Sequence, residues 1–165
     1  SQPGVFSWDR TDPGSALLLD HLAGLSGRGA DLGCGIGVLA RAILAAPDVA
    51  SLAMVDLDRR ALAAARRNVE DPRASFHWAD LRQPVDGLSG LDFVVMNPPF
   101  HDGGAEDKAL GQTFVRRAAA MLRRGGRCLL VANRHLPYET VMKPLFRTVA
   151  LRVETGAYKI YEALI

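Results

Sequence analysis

What this chain lacks narrows it first. It has only two cysteines, Cys34 and Cys128. These are too few for a disulfide framework and lack the spacing of a metal-ligand set. Cys34 falls inside a glycine-rich turn and Cys128 inside an apolar strand, so both are expected as reduced thiols. No apolar run approaches the ~18 residues of a membrane span, and no charged-then-apolar leader of the secretory kind is present. A cytoplasmic protein is therefore expected, with neither membrane nor metal as partner. Net charge is also scarce: 20 Lys and Arg against 18 Asp and Glu leave +2. A protein gripping RNA chiefly through phosphates would show a stronger basic bias. Repeats, low-complexity tracts and internal linkers are missing too. The 165 residues suit one domain that buries about 70% of its unfolded surface.

What is present begins with Asn97-Pro98-Pro99-Phe100, directly after the apolar run 91–96. Neither proline can donate a backbone hydrogen bond and each fixes its own φ, so the pair stops a strand abruptly. The residue before them is held extended. A rigid bend at a strand's carboxyl end results, offering the Asn97 amide oxygen and a prolyl carbonyl as acceptors beside the flat ring of Phe100. Such a corner suits a planar group bearing an –NH2, whose two hydrogens the acceptors receive while the ring stacks. An ordinary proline-bearing loop is the competing reading of this tetrapeptide taken alone.

Upstream, residues 28–44 read as a short strand, a glycine-rich turn and a helix. Gly33, Gly35 and Gly37 permit φ > 0 and a close ligand approach, and the helix that follows offers unsatisfied N–H groups. A dinucleotide fingerprint would be Gly-x-Gly-x-x-Gly; this turn is Gly-x-Gly-x-Gly. Asp31, just before it, would repel a pyrophosphate and attract the cationic amino group of an amino-acid ligand. That argues against NAD and for S-adenosylmethionine. Asp56 ends the apolar strand 51–56 roughly 20 residues beyond the turn, where such folds place the acid that binds ribose hydroxyls. Asp58 is the better cap for the helix starting near Arg59. Asp80 ends another short strand, either as an acceptor for an adenine amine or as a cap carboxylate.

The coarse pattern alternates helix and strand. A helix starts at Asp12-Pro-Gly-Ser15, with Ala16, Leu18, Leu19, Leu22 and Leu25 apolar. Strands are expected near 29–32, 52–55, 74–78, 91–96 and 127–132. Helices are expected over 38–46, over a segment with Ala61, Leu62, Ala65 and Val69 on one face, and over one with Leu110, Phe114, Ala118, Met121 and Leu122, closed by Gly125-Gly126. Residues 101–106 read as a mobile loop, 138–146 as a short helix, and 148–155 with 158–165 as an antiparallel hairpin. Near-continuous apolar strands alternating with helices mean an α/β fold, a parallel sheet covered on both faces. Its ligands lie beyond the carboxyl ends of the strands, which puts the glycine turn, Asp56, Asp80 and Asn97 on one rim. The arginine pairs 59–60, 66–67, 116–117 and 123–124 read mainly as solvated helix faces. His77 is expected in or beside a strand and His21 on a helix surface. His101 and His135 belong at the rim, without a partner that would make them catalytic.

In this order the segments 31–37, Asp56, Asp80 and 97–100 resemble class I S-adenosylmethionine-dependent methyltransferases that act on amino nitrogens. Segments 4–8, 12–15, 97–103 and 131–138 are similar to the catalytic methyltransferase small domain of bacterial ribosomal RNA guanine-N2 methyltransferases, the RsmC and RlmG types, and the match runs from Gly4 to Lys159. The resemblance implies a Rossmann-like, mostly parallel seven-stranded sheet. It implies cofactor contacts from Asp31, Gly33, Cys34, Gly35, Gly37, Asp56, Leu57, Asp80, Leu81 and Asn97. It implies catalysis at Asn97, Pro98, Pro99 and Phe100, and substrate contacts from Phe6, Phe100, His101 and Arg134. Phe6 and Trp8 either close over the site or pack in the core. Those enzymes carry a further amino-terminal domain, so residues 1–165 are expected to be the carboxyl-terminal catalytic part of a longer protein, with much of the RNA affinity elsewhere. The expected reaction is methyl transfer to the exocyclic N2 of a guanine in ribosomal RNA, free or in an assembled subunit, on an unstacked or flipped nucleotide. Adenine N6 or a glutamine amide as acceptor, and an idle RNA- or partner-binding module, stay open as alternatives.

Overall fold

The computed structural model describes residues 11–99 and 104–165. Phe6, Trp8, Phe100 and His101, singled out above, lie outside them. Twelve elements follow one another: α1 (Pro13–Leu19), β1 (Gly27–Leu32), α2 (Val38–Leu44), β2 (Val49–Asp56), α3 (Arg59–Asn68), β3 (Ala74–Trp78), β4 (Leu91–Met96), α4 (Ala105–Met121), β5 (Leu122–Asn133), α5 (Tyr138–Met142), β6 (Thr148–Glu154) and β7 (Tyr158–Leu164). They build one seven-stranded sheet in the order β3-β2-β1-β4-β5-β7-β6. The first five strands in that order run parallel. Strand β7 is antiparallel to both its neighbours. The expected α/β architecture and its closing hairpin are what the fold contains.

The central strands have no polar face because both of their faces are covered. In β4, Val94 and Met96 pack with Val115 and Ala118 of α4. Phe93 and Val95, one residue out of phase, join Leu18 of α1, Ile43 of α2 and Leu62 of α3 on the opposite side. The period-2 geometry of a strand enforces this division, and helices on both faces explain the continuous apolar runs. Gly29 in β1 is there for packing. A Cβ at that position would fall 2.0 Å from the Phe93 ring.

Several boundaries differ from the sequence expectation; among them, α5 ends at Met142 and not near 146, and β2 starts at Val49 and not near 52. Helix α4 stops at Met121, and Gly125-Gly126 lie within β5 instead of ending the helix. The register between β4 and β5 jumps from Leu91↔Leu122 to Phe93↔Arg127, so the glycines absorb extra residues in a bulge. Gly125 has φ 79° and donates its N–H to the Ile165 carbonyl at 2.8 Å. At the other end of α4, residues 105–106 belong to the first helical turn and not to a loop. Helix α1 ends at Leu19, while Leu22 and Leu25 are buried beyond it and His21 sits in the turn. Among the described residues, no helix is long and apolar enough to cross a membrane.

Candidate active site

The carboxyl ends of β1, β2, β3 and β4 meet at one rim, over which a cavity of about 490 Å³ opens. Its walls come from the turn after β1 (Gly33, Cys34, Gly35, Ile36), from Asp56 and Leu57 after β2, from Ala79, Asp80 and Leu81 after β3, and from Asn97, Pro98 and Pro99 after β4. A volume of this size is that of a small-ligand site, mostly apolar with a few convergent polar groups. Four segments far apart in sequence are thus brought together, as the strand-end rule requires.

The glycine turn is held by the neighbouring strand. Gly33 and Cys34 donate their N–H groups to the Val55 carbonyl at 2.8 and 3.0 Å. Gly35 donates to Asp56 Oδ2 at 2.8 Å, and Asp58 N–H donates to Asp56 Oδ1 at 2.8 Å. Asp56 therefore fixes the turn and the start of α3 at once. An ionised carboxylate has about four acceptor sites, so these backbone donors do not exhaust its capacity. Burial raises its pKa, offset in part by these backbone donors. Asp58, as expected, caps α3 by accepting from the Arg60 N–H at 2.8 Å. Gly35 (φ 54°) has open space where a Cβ would stand, on the cavity side. Gly37 (φ 93°) does not line the cavity. A Cβ there would lie 2.8 Å from Val69 Cγ2, so this glycine serves the packing of α2 against α3.

Asp31 is fully buried in β1, two residues before the turn, and among the described residues neither of its carboxylate oxygens has a hydrogen-bond partner. Loss of hydration, reinforced by the nearby Asp56 charge, pushes its pKa up to about 7. The same environment raises the Cys34 thiol well above its ordinary range, so no thiolate is available there. Asp31 does not itself line the cavity, whose wall above it is formed by Gly33 and Cys34; a buried carboxylate without a partner calls for one, and an ammonium-bearing ligand reaching past the glycine turn would supply it. Asp80 is held at the mouth by a 2.8 Å ion pair with Arg82, whose side-chain bonds and charge keep it below the usual carboxylate range. Leu81 is buried and Leu57 is 57% exposed, giving apolar surface on either side of the mouth.

At the far end stands the proline corner. Asn97 donates through Nδ2 to Asp12 Oδ2 at 2.8 Å and to Ser15 Oγ at 3.0 Å. With both amide hydrogens committed, Oδ1 is the atom left to accept from a ligand. Asp12 Oδ2 also accepts the Ser15 N–H at 3.0 Å, capping α1. Leu110 and Phe114 of α4 close the wall beside the corner.

Arg134 does not line the cavity. It follows β5 and pairs through Nε with Glu154 Oε1 at 3.1 Å. His135 donates its backbone N–H to Asn133 Oδ1, and His77 lies in β3 with its ring 2.9 Å from Ser75 Oγ. Two arginines of the helical pairs stack on aromatic rings of the edge strand: Arg59 over Trp78 at 3.6 Å and Arg66 over Phe76 at 4.8 Å. The link from Asp12 and Ser15 to Asn97 was not visible in the sequence, where Asp12-Pro-Gly-Ser15 signalled only a helix start. Leu110 and Phe114 read as core residues for the same reason, namely helical periodicity. Among the described residues, no group of three or more His, Cys, Asp or Glu is placed to hold a metal.

A mostly parallel sheet with a glycine turn, strand-tip acids and an Asn-Pro-Pro corner on a single rim is the Rossmann-like methyltransferase fold. The chain belongs to the methyltransferase small domain family, whose model matches residues 1–162. Ribosomal RNA small subunit methyltransferase C of Shewanella loihica is 39% identical over 160 residues, covering 96% of this chain and 46% of that protein. Its counterpart in Shewanella sp. strain MR-4 is 41% identical over 162 residues, with the same coverage of 96% and 46%. Among solved structures, the T. thermophilus 16S rRNA N2 methyltransferase RsmC, in complex with AdoMet and guanosine, matches with TM-score 0.83 and 32% identity over 98% of this chain and 45% of that one. TrmN from Thermus thermophilus matches with TM-score 0.67 and 25% identity over 92% and 47%. The chain spans about half the length of the relatives it matches.

Proposed function

We propose that this domain transfers a methyl group from S-adenosylmethionine to the exocyclic N2 of a guanine in ribosomal RNA, most plainly that of the small subunit. The observation that carries the reading is the orientation of Asn97, whose NH2 is spent on Asp12 and Ser15. Asn97 and Pro98 both line the cavity, so the Asn97 oxygen and the Pro98 carbonyl would serve as a pair of acceptors for the two hydrogens of an aromatic amine. The RsmC structure with AdoMet and guanosine supports both the cofactor and the base.

Asp31 would hold the cofactor's ammonium group, Asp56 its ribose hydroxyls and Asp80 the adenine amine, with Leu57 and Leu81 against the flat ring. When bound, S-adenosylmethionine supplies a sulfonium methyl: an N–C bond forms as the C–S bond breaks, the electron pair stays on sulfur, and the nitrogen's surplus proton leaves to water. The protein's share is positioning and electrostatics. An exocyclic amine is a weak nucleophile because its lone pair is delocalised into the ring. Acceptance of both hydrogens by Asn97 Oδ1 and the Pro98 carbonyl turns them from the ring plane and aims the lone pair at the methyl. Phe100 is assigned to stacking on the base, and Phe6 and His101 to substrate contacts. The salt-bridged position of Arg134 favours a contact with flanking RNA over one with the base.

We read residues 1–165 as the carboxyl-terminal catalytic domain of a longer protein, consistent with the 46% coverage of its relatives. A partner domain would then supply RNA affinity that a net charge of +2 does not. In a bacterium, as in the Shewanella relatives, a ribosomal RNA substrate implies the cytoplasm.

The test is radiolabelled methyl transfer to free rRNA, to assembled subunits, to DNA and to ribosomal proteins, followed by nucleoside and amino-acid analysis. N2-methylguanosine is the expected product. N6-methyladenosine or methylglutamine would replace this reading, and no transfer to any acceptor by a protein that still binds RNA would leave an idle module. Asn97→Ala should lower turnover by about 100-fold or more while cofactor affinity by calorimetry stays within about threefold. Unimpaired turnover in that variant would remove Asn97 from the mechanism.

A further inference from the structure

The Asn97 amide does not orient itself. Exchanging its oxygen and NH2 leaves the shape of the side chain unchanged, yet a flipped amide would present hydrogens to the hydrogens of an incoming amine. We infer that Asp12, the N-cap of α1, and Ser15 in its first turn are positioning residues: they select the catalytic orientation of the Asn97 amide and polarise it. This rests on the reading that Asn97 Oδ1 receives the amine.

Three observations carry the inference. An ionised carboxylate can only accept, so Asp12 Oδ2 at 2.8 Å from Nδ2 admits one orientation of the amide; the Ser15 hydroxyl at 3.0 Å takes the second hydrogen. The carboxylate is itself immobilised, because the same Oδ2 caps α1 by accepting the Ser15 N–H at 3.0 Å. An N-cap needs no partner 85 residues along the chain, so the helix alone does not account for the contact. The space is also closed. A Cβ on Gly14 would stand 3.1 Å from Asp12 Oδ2, 3.2 Å from Tyr158 Cε1 and 3.4 Å from Asn97 Nδ2. Gly14 thus lets the first turn of α1 come against the corner, and Tyr158 backs it from β7.

The charge has a consequence for the reaction. A hydrogen bond from an amide to a carboxylate shifts electron density toward the amide oxygen, and linked hydrogen bonds polarise one another. As the amine nitrogen becomes positive during transfer, the negative charge on Asp12 reaches it through the Asn97 amide. The effect grows along the reaction, so it belongs to the rate and not to ground-state binding.

The experiment compares Asp12→Asn, Ser15→Ala and Ser15→Thr with the wild type in the protein used for the methyl-transfer assay. Asn is as good an N-cap as Asp, so Asp12→Asn removes the charge and the one-way acceptor while keeping α1, which thermal unfolding checks. Expected is a fall in kcat of about 10–100-fold, with KM for the RNA and calorimetric cofactor affinity changed by less than about threefold. Ser15→Ala should lose part of the rate and Ser15→Thr should recover it. A second readout needs no turnover: by NMR, the Asn97 side-chain NH2 should exchange slowly in the wild type and faster in Asp12→Asn. Wild-type kcat and unchanged exchange in Asp12→Asn would overturn the inference, as would a loss confined to KM or cofactor affinity. If Asp12→Asn fails to fold, the contrast between alanine and threonine at position 15 decides. Protected Asn97 hydrogens in a wild type that makes no N2-methylguanosine would instead overturn the functional reading and with it the catalytic meaning of the contact.

Discussion

Replacing Asp31 by asparagine should make the protein without its cofactor more stable above pH 7 and make it worse at binding that cofactor. In the folded state Asp31 titrates near 7, against 3.8 for an exposed carboxyl. Between those values the folded protein keeps a proton that the unfolded chain has released. Stability from this group is therefore complete below about pH 4, declines as pH rises, and is gone above about pH 7. The interval corresponds to about 4 kcal/mol. The amide introduced by Asp31→Asn would not titrate, and its burial would cost about 1–3 kcal/mol of unmet hydrogen bonding at every pH. The variant should thus be no more stable than wild type at pH 4 and more stable by about 1–3 kcal/mol at pH 8. Other shifted carboxylates, including Asp56, occur in both proteins and largely cancel in the difference. Urea unfolding at the two pH values measures it: about 4 kcal/mol at a slope of about 2 kcal/mol/M moves the relative midpoints by about 2 M. A variant-minus-wild-type difference that is the same at pH 4 and pH 8 would refute the argument. Calorimetry at pH 8 should show cofactor binding weakened by about 1.5–3 kcal/mol, the worth of a hydrogen bond to a charged group.

Two other substitutions probe the same rim. Asp56→Ala removes the acceptor for Gly35 and Asp58 as well as the assigned ribose ligand, so cofactor affinity should fall by at least about 1.5–3 kcal/mol; unchanged affinity by calorimetry would reduce Asp56 to a turn anchor. Gly37→Ala combines left-handed strain of about 1–2 kcal/mol with overpacking of about 1–3 kcal/mol against Val69. Denaturant unfolding should reveal a loss of about 2–5 kcal/mol, and a stability equal to wild type would mean that α3 yields easily.

The parts of the fold legible in the sequence are those with sharp local punctuation. Strands β3 and β4 run over 74–78 and 91–96 as expected, the second because Pro98 and Pro99 close it. The end of α4 was hidden because Gly125-Gly126 is as good a helix stop as it is a bulge, and only pairing with β4 and with Ile165 decides between them. In the site, Asp56, Asp80 and Asn97 were readable because alternation places strand tips on one rim. Arg134 looked equally well placed, but its partner Glu154 lies in a strand whose position nothing local foretells. The Asp12–Asn97 contact joins two motifs that each had a sufficient local explanation, so neither pointed to the other.

The place of β7 between β5 and β6 sets an order of events during synthesis. Among the described residues, strand β6 has no neighbour except β7, so it joins the sheet only once residues 158–164 have been made, although every strand tip that lines the cavity was translated long before. Pairings of long sequence separation are the slow ones: β7 meets β6 in a local hairpin, whereas its pairing with β5, from Asn133↔Tyr158 to Arg127↔Leu164, reaches across α5 and β6. A chain cut short before residue 158 would lose both outer strands together, leaving β5 as a bare apolar edge open to pairing with other chains.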